Sequence, residues 1–124
     1  MLTAMGDVMR EAYKRNWITT RDGNVALRRK DSNIIYLTPS GVRKTLICPE
    51  MITKMKLGEE MEFVSAMNLQ ATGEWDMHYR ILKDAKRTLS SVHLHPPNIV
   101  AAMYAGWNLQ EMVEPFPEVF RYTR

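Results

Sequence analysis

The order of helix-like and strand-like segments is what most limits the folds open to this chain. Apolar residues recur at helical spacing in residues 2–13, which predicts an amphipathic first helix of about four turns. The same spacing in residues 73–86 predicts a second helix with an inward face. Residues 98–104, followed by Gly106, predict a short third helix.

Strand-like segments lie between these helices. Residues 25–27 and 34–37 flank a polar turn, and the pattern predicts a β-hairpin that ends at Pro39-Ser40-Gly41. Residues 51–64 predict one or two further strands around the turn Gly58-Glu59. Residues 90–95 predict a buried strand that Pro96-Pro97 stops. Helix, strands, helix, strand and helix together predict an α/β fold.

Length and composition fit one domain of ordinary type. The 124 residues are enough for one hydrophobic core, and residues 1–124 are expected to form a single domain. No apolar run approaches the roughly 18 residues of a membrane span. The net charge of +3 is modest and the basic clusters are short, so no nucleic-acid partner is expected. The single cysteine, Cys48, fits a reducing cytoplasm.

The segment His93-Leu94-His95 is the first candidate for chemistry. Alternate side chains of a strand point the same way, so both imidazoles would project from one face, about 7 Å apart along the backbone. Two such nitrogens can reach one metal ion at about 2.0–2.1 Å each. The alternative is that both histidines make ordinary structural hydrogen bonds at a strand end.

Glu74 is the second candidate, because it begins a helix whose face is otherwise apolar and inward. A carboxylate there could ligate a metal or act as a general base. The alternative is a first-turn glutamate that only interacts favourably with the helix dipole. His78 lies one helical turn later and could supply a further ligand, or belong to the core.

Three loops of small residues could bind an anion such as phosphate. They are Gly23-Asn24, Thr38-Pro39-Ser40-Gly41 and Ala71-Thr72-Gly73, the last at a helix N-terminus. Taken singly, each is also compatible with a plain turn.

Together these motifs resemble the class II aldolase/adducin head family. Gly23-Asn24-Val25, Leu37-Thr38-Pro39-Ser40-Gly41, Gly73-Glu74-Trp75-Asp76-Met77-His78 and Val92-His93-Leu94-His95-Pro96-Pro97 occur in the family's order and rough spacing. The match covers about residues 5–107. The family includes sugar-phosphate aldolases, epimerases and dehydratases, and also adducin heads, which lack the enzymes' metal site.

The resemblance implies a fold and a site. The fold would be a three-layer α/β/α sandwich without its C-terminal elements. His93 and His95 would bind Zn²⁺ or another divalent metal, Glu74 would be the acid/base, and a zinc-stabilised enediolate would form. The phosphate end of a sugar-phosphate substrate would be lined by Gly23, Asn24, Ser40, Gly41, Thr72 and Gly73. The resemblance also implies a homotetramer.

Two departures from the family pattern bear on activity. Thr72-Gly73 stands where the family has a pair of hydroxyl residues, so one hydroxyl is missing. The family enzymes take a third histidine ligand from a later strand, and no histidine follows His95 here. We therefore expect a truncated member, and a non-catalytic adducin-like head that acts through protein contacts stays an alternative. Cleavage, epimerisation and dehydration remain open.

A zinc isopeptidase also carries a glutamate upstream of His-x-His-Pro. In that class a serine and an acidic ligand follow the second histidine within about a dozen residues. Here Pro96 to Trp107 contains neither a serine nor an acidic residue, so the sequence excludes this class.

Overall fold

The computed structural model describes residues 1–58, 61–83 and 89–113. The chain divides into two compact units, Met1–Leu94 and His95–Arg124, and each is described by itself. That residues 1–124 form a single domain stays a prediction.

Helix α1 spans Leu2–Lys14 and confirms the predicted first helix. Its inner face carries Met5, Met9 and Ala12, which recur at helical spacing and are buried. Gly6 lies on the same face, where an added Cβ would come within 2.5 Å of the Ile47 carbonyl oxygen. Glycine at this position therefore allows the helix to pack closely against the segment that follows the predicted hairpin.

Five strands form one antiparallel sheet in the order β4-β3-β2-β1-β5. The strands are β1 (Asn24–Arg28), β2 (Ile34–Leu37), β3 (Thr53–Lys56), β4 (Glu62–Ser65) and β5 (Ser90–His93). The predicted hairpin is confirmed as β1 and β2, and residues 51–64 contain β3 and β4. The predicted turn includes Glu59, which lies outside the described residues.

The two faces of the sheet are covered by different helices, because side chains alternate along each strand. Val25 faces the core that α1 shares with Ile52, whereas Ala26 faces a second core. Helix α2, Trp75–Leu82, contributes Leu82 to that second core. The three-layer α/β/α arrangement is thus confirmed within the first unit. Burying a side chain such as Leu82 stabilises the fold by about 1.5–3 kcal/mol.

Two details of the predicted elements differ from the structure. Strand β5 was expected to be buried, but it lies at the edge of the sheet and its side chains are half-buried or exposed. Val92 is 45% exposed, because only β1 pairs with this strand among the described residues. The second helix was expected to cover residues 73–86, and residues 84–88 lie outside the described residues. Its buried face is narrower than predicted, because Ile81, expected to point inward, is exposed.

The second unit contains helix α3 (Pro97–Tyr104), which confirms the third predicted helix, and helix α4 (Leu109–Val113), which was not predicted. Gly106 follows α3 with a φ of 75°. Residues 114–124 lie outside the described residues. No helix in the described part of the chain has both the length and the apolar composition needed to cross a bilayer.

Candidate active site

The Glu74 carboxylate contacts side chains from two adjacent strands. Asn24 on β1 and His93 on β5 are register partners, so their side chains lie side by side on one face of the sheet. Glu74 precedes α2, and its Oε2 atom accepts a hydrogen bond from Asn24 Nδ2. The same oxygen lies 2.5 Å from His93 Nδ1. Three of the predicted site residues therefore meet at one carboxylate oxygen.

The contact with Glu74 indicates which ring nitrogen of His93 carries a proton. An ionised carboxylate only accepts hydrogen bonds, so Nδ1 of His93 must donate. A neutral His93 then has its lone pair on Nε2, the arrangement that is usual when a metal-binding histidine is oriented by a carboxylate. The His93 side chain is 26% exposed and the Glu74 side chain 46% exposed, so small molecules have access to both.

His78 lies in the core, as one of the two sequence-based alternatives predicted. Its side chain is fully buried, with Nε2 at 2.5 Å from Asn24 Oδ1 and Nδ1 at 3.0 Å from Ser91 Oγ. Burial lowers the pKa of His78 below its usual value, an effect that the nearby Glu74 carboxylate opposes and that His93 reinforces. The helical spacing of His78 relative to Glu74 was visible in the sequence, but nothing in it indicated Ser91.

Two of the predicted anion loops are joined by backbone contacts. Pro39 and Ala71 form a β-bridge, and the Thr72 N–H donates to the Thr38 carbonyl at 3.1 Å. The Ser40 N–H donates to the Gln70 carbonyl at 2.9 Å. Ser40 and Thr72 therefore use their backbone donors within the fold, which leaves their hydroxyl groups as the polar atoms to consider for a phosphate.

The glycines of these two loops border open space. A Cβ added at Gly41 or at Gly73 would meet no atom within 4 Å. Thr72 also connects the second loop to the carboxylate residue, because its hydroxyl oxygen accepts a hydrogen bond from the Glu74 N–H at 3.4 Å. The backbone pairing thus places Ser40 beside Gln70, and Thr72-Gly73 lies next to Glu74 in the chain. Phosphate binding by Ser40, Gly41, Thr72 and Gly73 stays a prediction.

Two cationic residues contact the first of these loops, and sequence reasoning missed both. The buried Lys44 donates from Nζ to the Pro39 carbonyl at 2.9 Å. Arg21 donates from Nη1 to the Gly41 carbonyl at 3.0 Å. The two positive charges add positive potential at this loop, which the nearby carboxylates of Asp22 and Glu74 partly offset. Lysine is rarely buried, so no periodicity argument would have selected Lys44.

We expect Lys44 to give the protein a characteristic dependence of stability on pH. Burial lowers the pKa of Lys44 below 10.5, although Asp22 and Glu74 oppose the effect. The unfolded chain then binds more protons than the folded one between the lowered pKa and 10.5. Stability relative to Lys44→Met should therefore rise with pH in that window, by at most about 1.4 kcal/mol per pH unit.

Urea unfolding of both proteins from pH 7 to pH 10.5 measures this difference, because the other titrating groups are common to the two chains. Stability curves that stay parallel over the whole range would contradict this prediction, because they would mean that the pKa of Lys44 is the same in the folded and the unfolded chain.

The remaining predicted loop, Gly23-Asn24, has a structural role that accounts for both of its residues. Gly23 has a φ of 75°, and a Cβ there would come within 2.5 Å of Ile18 Cγ2 and 3.2 Å of the His93 carbonyl oxygen. Asn24 is buried, and both polar atoms of its amide are bonded to Glu74 and His78. The predicted phosphate contacts of Gly23 and Asn24 therefore stay predictions, and the structure gives the Asn24 side chain a different set of partners.

The residues present fit a divalent metal by their donor chemistry. Imidazole nitrogens and a carboxylate are the donors that zinc takes in catalytic sites, and His93 and Glu74 bring one of each together. His95 begins the second unit, two residues after His93. Across the described ranges, no three His, Cys, Asp or Glu side chains form a ready-made ligand set. Metal binding by His93 and His95 stays a prediction.

Comparison with known proteins gives a family match over nearly the whole chain. The model of the Class II Aldolase and Adducin N-terminal domain matches residues 3–123. A curated L-fuculose phosphate aldolase of Methanococcus maripaludis is 29% identical over 76% of this chain and 48% of its own length. A methylthioribulose-1-phosphate dehydratase of Saccharomyces cerevisiae is 24% identical over 73% of this chain and 37% of its own. The chain thus spans less than half the length of these two relatives.

Solved structures share the fold. The L-fuculose-1-phosphate aldolase from Thermus thermophilus has a TM-score of 0.67 at 24% identity, covering 83% of this chain and 50% of that one. The L-fuculose 1-phosphate aldolase from Glaciozyma antarctica has a TM-score of 0.72 at 14% identity, covering 87% of this chain and 45% of that one. The five-stranded antiparallel sheet with a helix on each face is therefore part of a known architecture.

Proposed function

The chain belongs to the class II aldolase and adducin N-terminal domain family, and on that premise we propose that it carries out metal-dependent chemistry on a sugar phosphate or a related hydroxy-carbonyl compound. The observation that carries the proposal is the position of Glu74. Its carboxylate contacts the histidine proposed to bind the metal and is exposed next to the paired loops proposed to bind phosphate.

Glu74 is the proposed acid/base. As an ionised carboxylate it accepts hydrogen bonds, and Oε2 is the atom that would take a proton from a carbon or oxygen of the substrate and return it. Asn24 and His93 hold this oxygen from two sides, so the carboxylate is oriented before a substrate arrives.

His93 and His95 are the proposed metal ligands. His93 would bind through Nε2, because Nδ1 is turned toward Glu74. A divalent metal held there would supply a Lewis acid that stabilises negative charge on the oxygen atoms of a hydroxy-carbonyl substrate. The Glu74 carboxylate orients the His93 ring, so one residue serves both the proton transfer and the geometry of the ligand.

The phosphate group would lie against the paired loops. The hydroxyls of Ser40 and Thr72 are the proposed donors, and the absence of side chains at Gly41 and Gly73 leaves room for the anion. Lys44 and Arg21 donate hydrogen bonds to the carbonyl oxygens of Pro39 and Gly41, and their positive charges would favour a bound phosphate.

Turnover of a panel of sugar phosphates tests the proposal. We expect the chelator-stripped protein to be inactive and the zinc-reconstituted protein to convert at least one of L-fuculose 1-phosphate and methylthioribulose 1-phosphate, the compounds named for its relatives. Coupled detection of the carbonyl product and of loss of substrate separates cleavage from dehydration or epimerisation. No turnover with any sugar phosphate at saturating zinc would contradict the proposal.

A non-catalytic head that acts through protein contacts is the second candidate. It is favoured by exposed apolar side chains in and after β4: Phe63 at 42%, Val64 at 37% and Met67 at 51%. Robust turnover by the chain alone would exclude it.

Assembly and location complete the proposal. We propose a homo-oligomer, with the tetramer as the form that the family resemblance implies, and light scattering of the purified chain measures it directly. The partially buried Cys48 is a free thiol, and we propose a cytoplasmic location on the ground that it has no disulfide partner in the chain.

A further inference from the structure

A chain of hydrogen bonds connects the interior of the first unit to the Glu74 carboxylate. It runs from Ser91 Oγ to His78 Nδ1 at 3.0 Å, and from His78 Nε2 to Asn24 Oδ1 at 2.5 Å. Asn24 Nδ2 then donates to Glu74 Oε2. His78 is fully buried and Asn24 is 4% exposed, so water does not compete for the bond between them.

The direction of every bond follows from the carboxylate at its end. Ionised Glu74 only accepts, so the Asn24 amide must present its NH₂ group to it. The Asn24 oxygen then faces His78, whose Nε2 must carry a proton in order to donate. A neutral His78 therefore accepts at Nδ1, and the Ser91 hydroxyl donates there.

The opposite orientation of Asn24 is disfavoured by the same rules. With its amide turned over, Oδ1 would face the Glu74 oxygen, and two acceptors would meet without a proton between them. The NH₂ group would in turn face His78 Nε2, so the ring would have to carry its proton on Nδ1 and donate it to the Ser91 hydroxyl. The contact between Asn24 Oδ1 and the Glu74 oxygen is therefore what disfavours this arrangement. The downward shift of the His78 pKa on burial agrees with a neutral ring.

We propose that His78 and Ser91 are positioning residues that fix the orientation of the Asn24 amide and, through it, the Glu74 carboxylate. This inference rests on the acid/base role proposed for Glu74. Neither residue touches the substrate; they hold one rotamer of Asn24, which keeps Oε2 of Glu74 aimed for proton transfer.

The kinetic test compares His78→Leu with two reference variants. We expect kcat of His78→Leu to fall about 10- to 100-fold with KM for the sugar phosphate within about twofold, because substrate contacts are untouched. His78→Gln should recover most of kcat, since its amide NH₂ can donate to Asn24 Oδ1. Leu82→Ala, which removes a buried side chain one turn later in the same helix, should lose stability and keep kcat at temperatures below its unfolding transition.

An equal fall of kcat in Leu82→Ala and His78→Leu would overturn the proposal, because loss of packing alone would then explain both. So would a His78→Gln variant as slow as His78→Leu. Ser91→Ala removes only a hydroxyl at the far end of the chain of hydrogen bonds, so it can be measured even if His78→Leu does not fold. We expect its kcat to lie between those of the wild type and His78→Leu. An unchanged kcat would overturn the role of Ser91.

A spectroscopic arm separates failure of this inference from failure of the proposed function. Nitrogen NMR of the His78 ring should show a neutral tautomer protonated at Nε2, and the Asn24 side-chain NH₂ should exchange with solvent about tenfold faster in His78→Leu than in Leu82→Ala. A ring protonated at Nδ1, or equal amide exchange in the two variants, would overturn the inference even in an active protein. The expected tautomer and exchange in a protein without turnover would retain the hydrogen-bond chain and refute only the enzymatic proposal.

Discussion

Substitution of Glu74 by glutamine should lower turnover of the sugar phosphate by about 10²–10⁴-fold. Glutamine keeps the size of the side chain and can still accept from Asn24, but it cannot take and return a proton at Oε2. Glu74 precedes α2 and is 46% exposed, so the stability of the variant should stay close to that of the wild type. Steady-state kinetics of the zinc-reconstituted proteins gives the ratio directly.

Asp76→Asn is the matched control for that variant. Asp76 lies in the first turn of the same helix and makes an exposed ion pair with Arg80 at 2.8 Å. Its neutralisation changes the helix charge as Glu74→Gln does, while it lies outside the proposed site. A control that slows as much as Glu74→Gln would mean that the loss reflects the helix terminus and not proton transfer.

Loss of the histidine pair should remove the metal. We expect His93→Ala combined with His95→Ala to weaken zinc binding by at least about 100-fold. Loss of a residue that only orients a metal ligand already lowers metal affinity by about 10- to 100-fold, and loss of the ligands themselves should cost more. Competition with a chromophoric chelator measures the affinity of each protein at one fixed pH, because zinc binding to histidine depends on pH.

Cys48→Ser is the control in that experiment. Cys48 is the only cysteine of the chain and the only source of a thiolate ligand. Its substitution should leave the zinc affinity unchanged. A double-histidine variant with wild-type affinity, or a Cys48→Ser variant that loses the metal, would place the binding site elsewhere in the protein.

Local pattern was enough to predict most of the elements. The β1–β2 hairpin follows from alternation on either side of a polar turn, and α1 follows from the spacing of Met5, Met9 and Ala12. The position of β5 beside β1 depends on pairing between residues far apart in the sequence, which no local pattern specifies. For this reason the sequence led us to expect a buried strand where the sheet has an edge.

The sequence was enough to predict which residues belong to the candidate site, but not which of them contact one another. The family motifs include Glu74, His93 and Asn24. Their contact at one carboxylate oxygen depends on the register of β1 and β5, which sets Asn24 opposite His93. The hydrogen-bond partners of His78 depend on that same register. Lys44 is buried with its ammonium group bonded to the Pro39 carbonyl, against the usual exposure of lysine, so only the folded arrangement reveals it.

Zinc X-ray absorption spectroscopy of the reconstituted chain tests most directly the claim that His93 and His95 form the metal site. We expect a first shell of nitrogen and oxygen only, at about 2.0–2.1 Å. We also expect outer-shell scattering from two imidazoles, which should disappear in the double-alanine variant. A sulfur ligand at about 2.3 Å, or imidazole scattering that survives replacement of both His93 and His95, would contradict it.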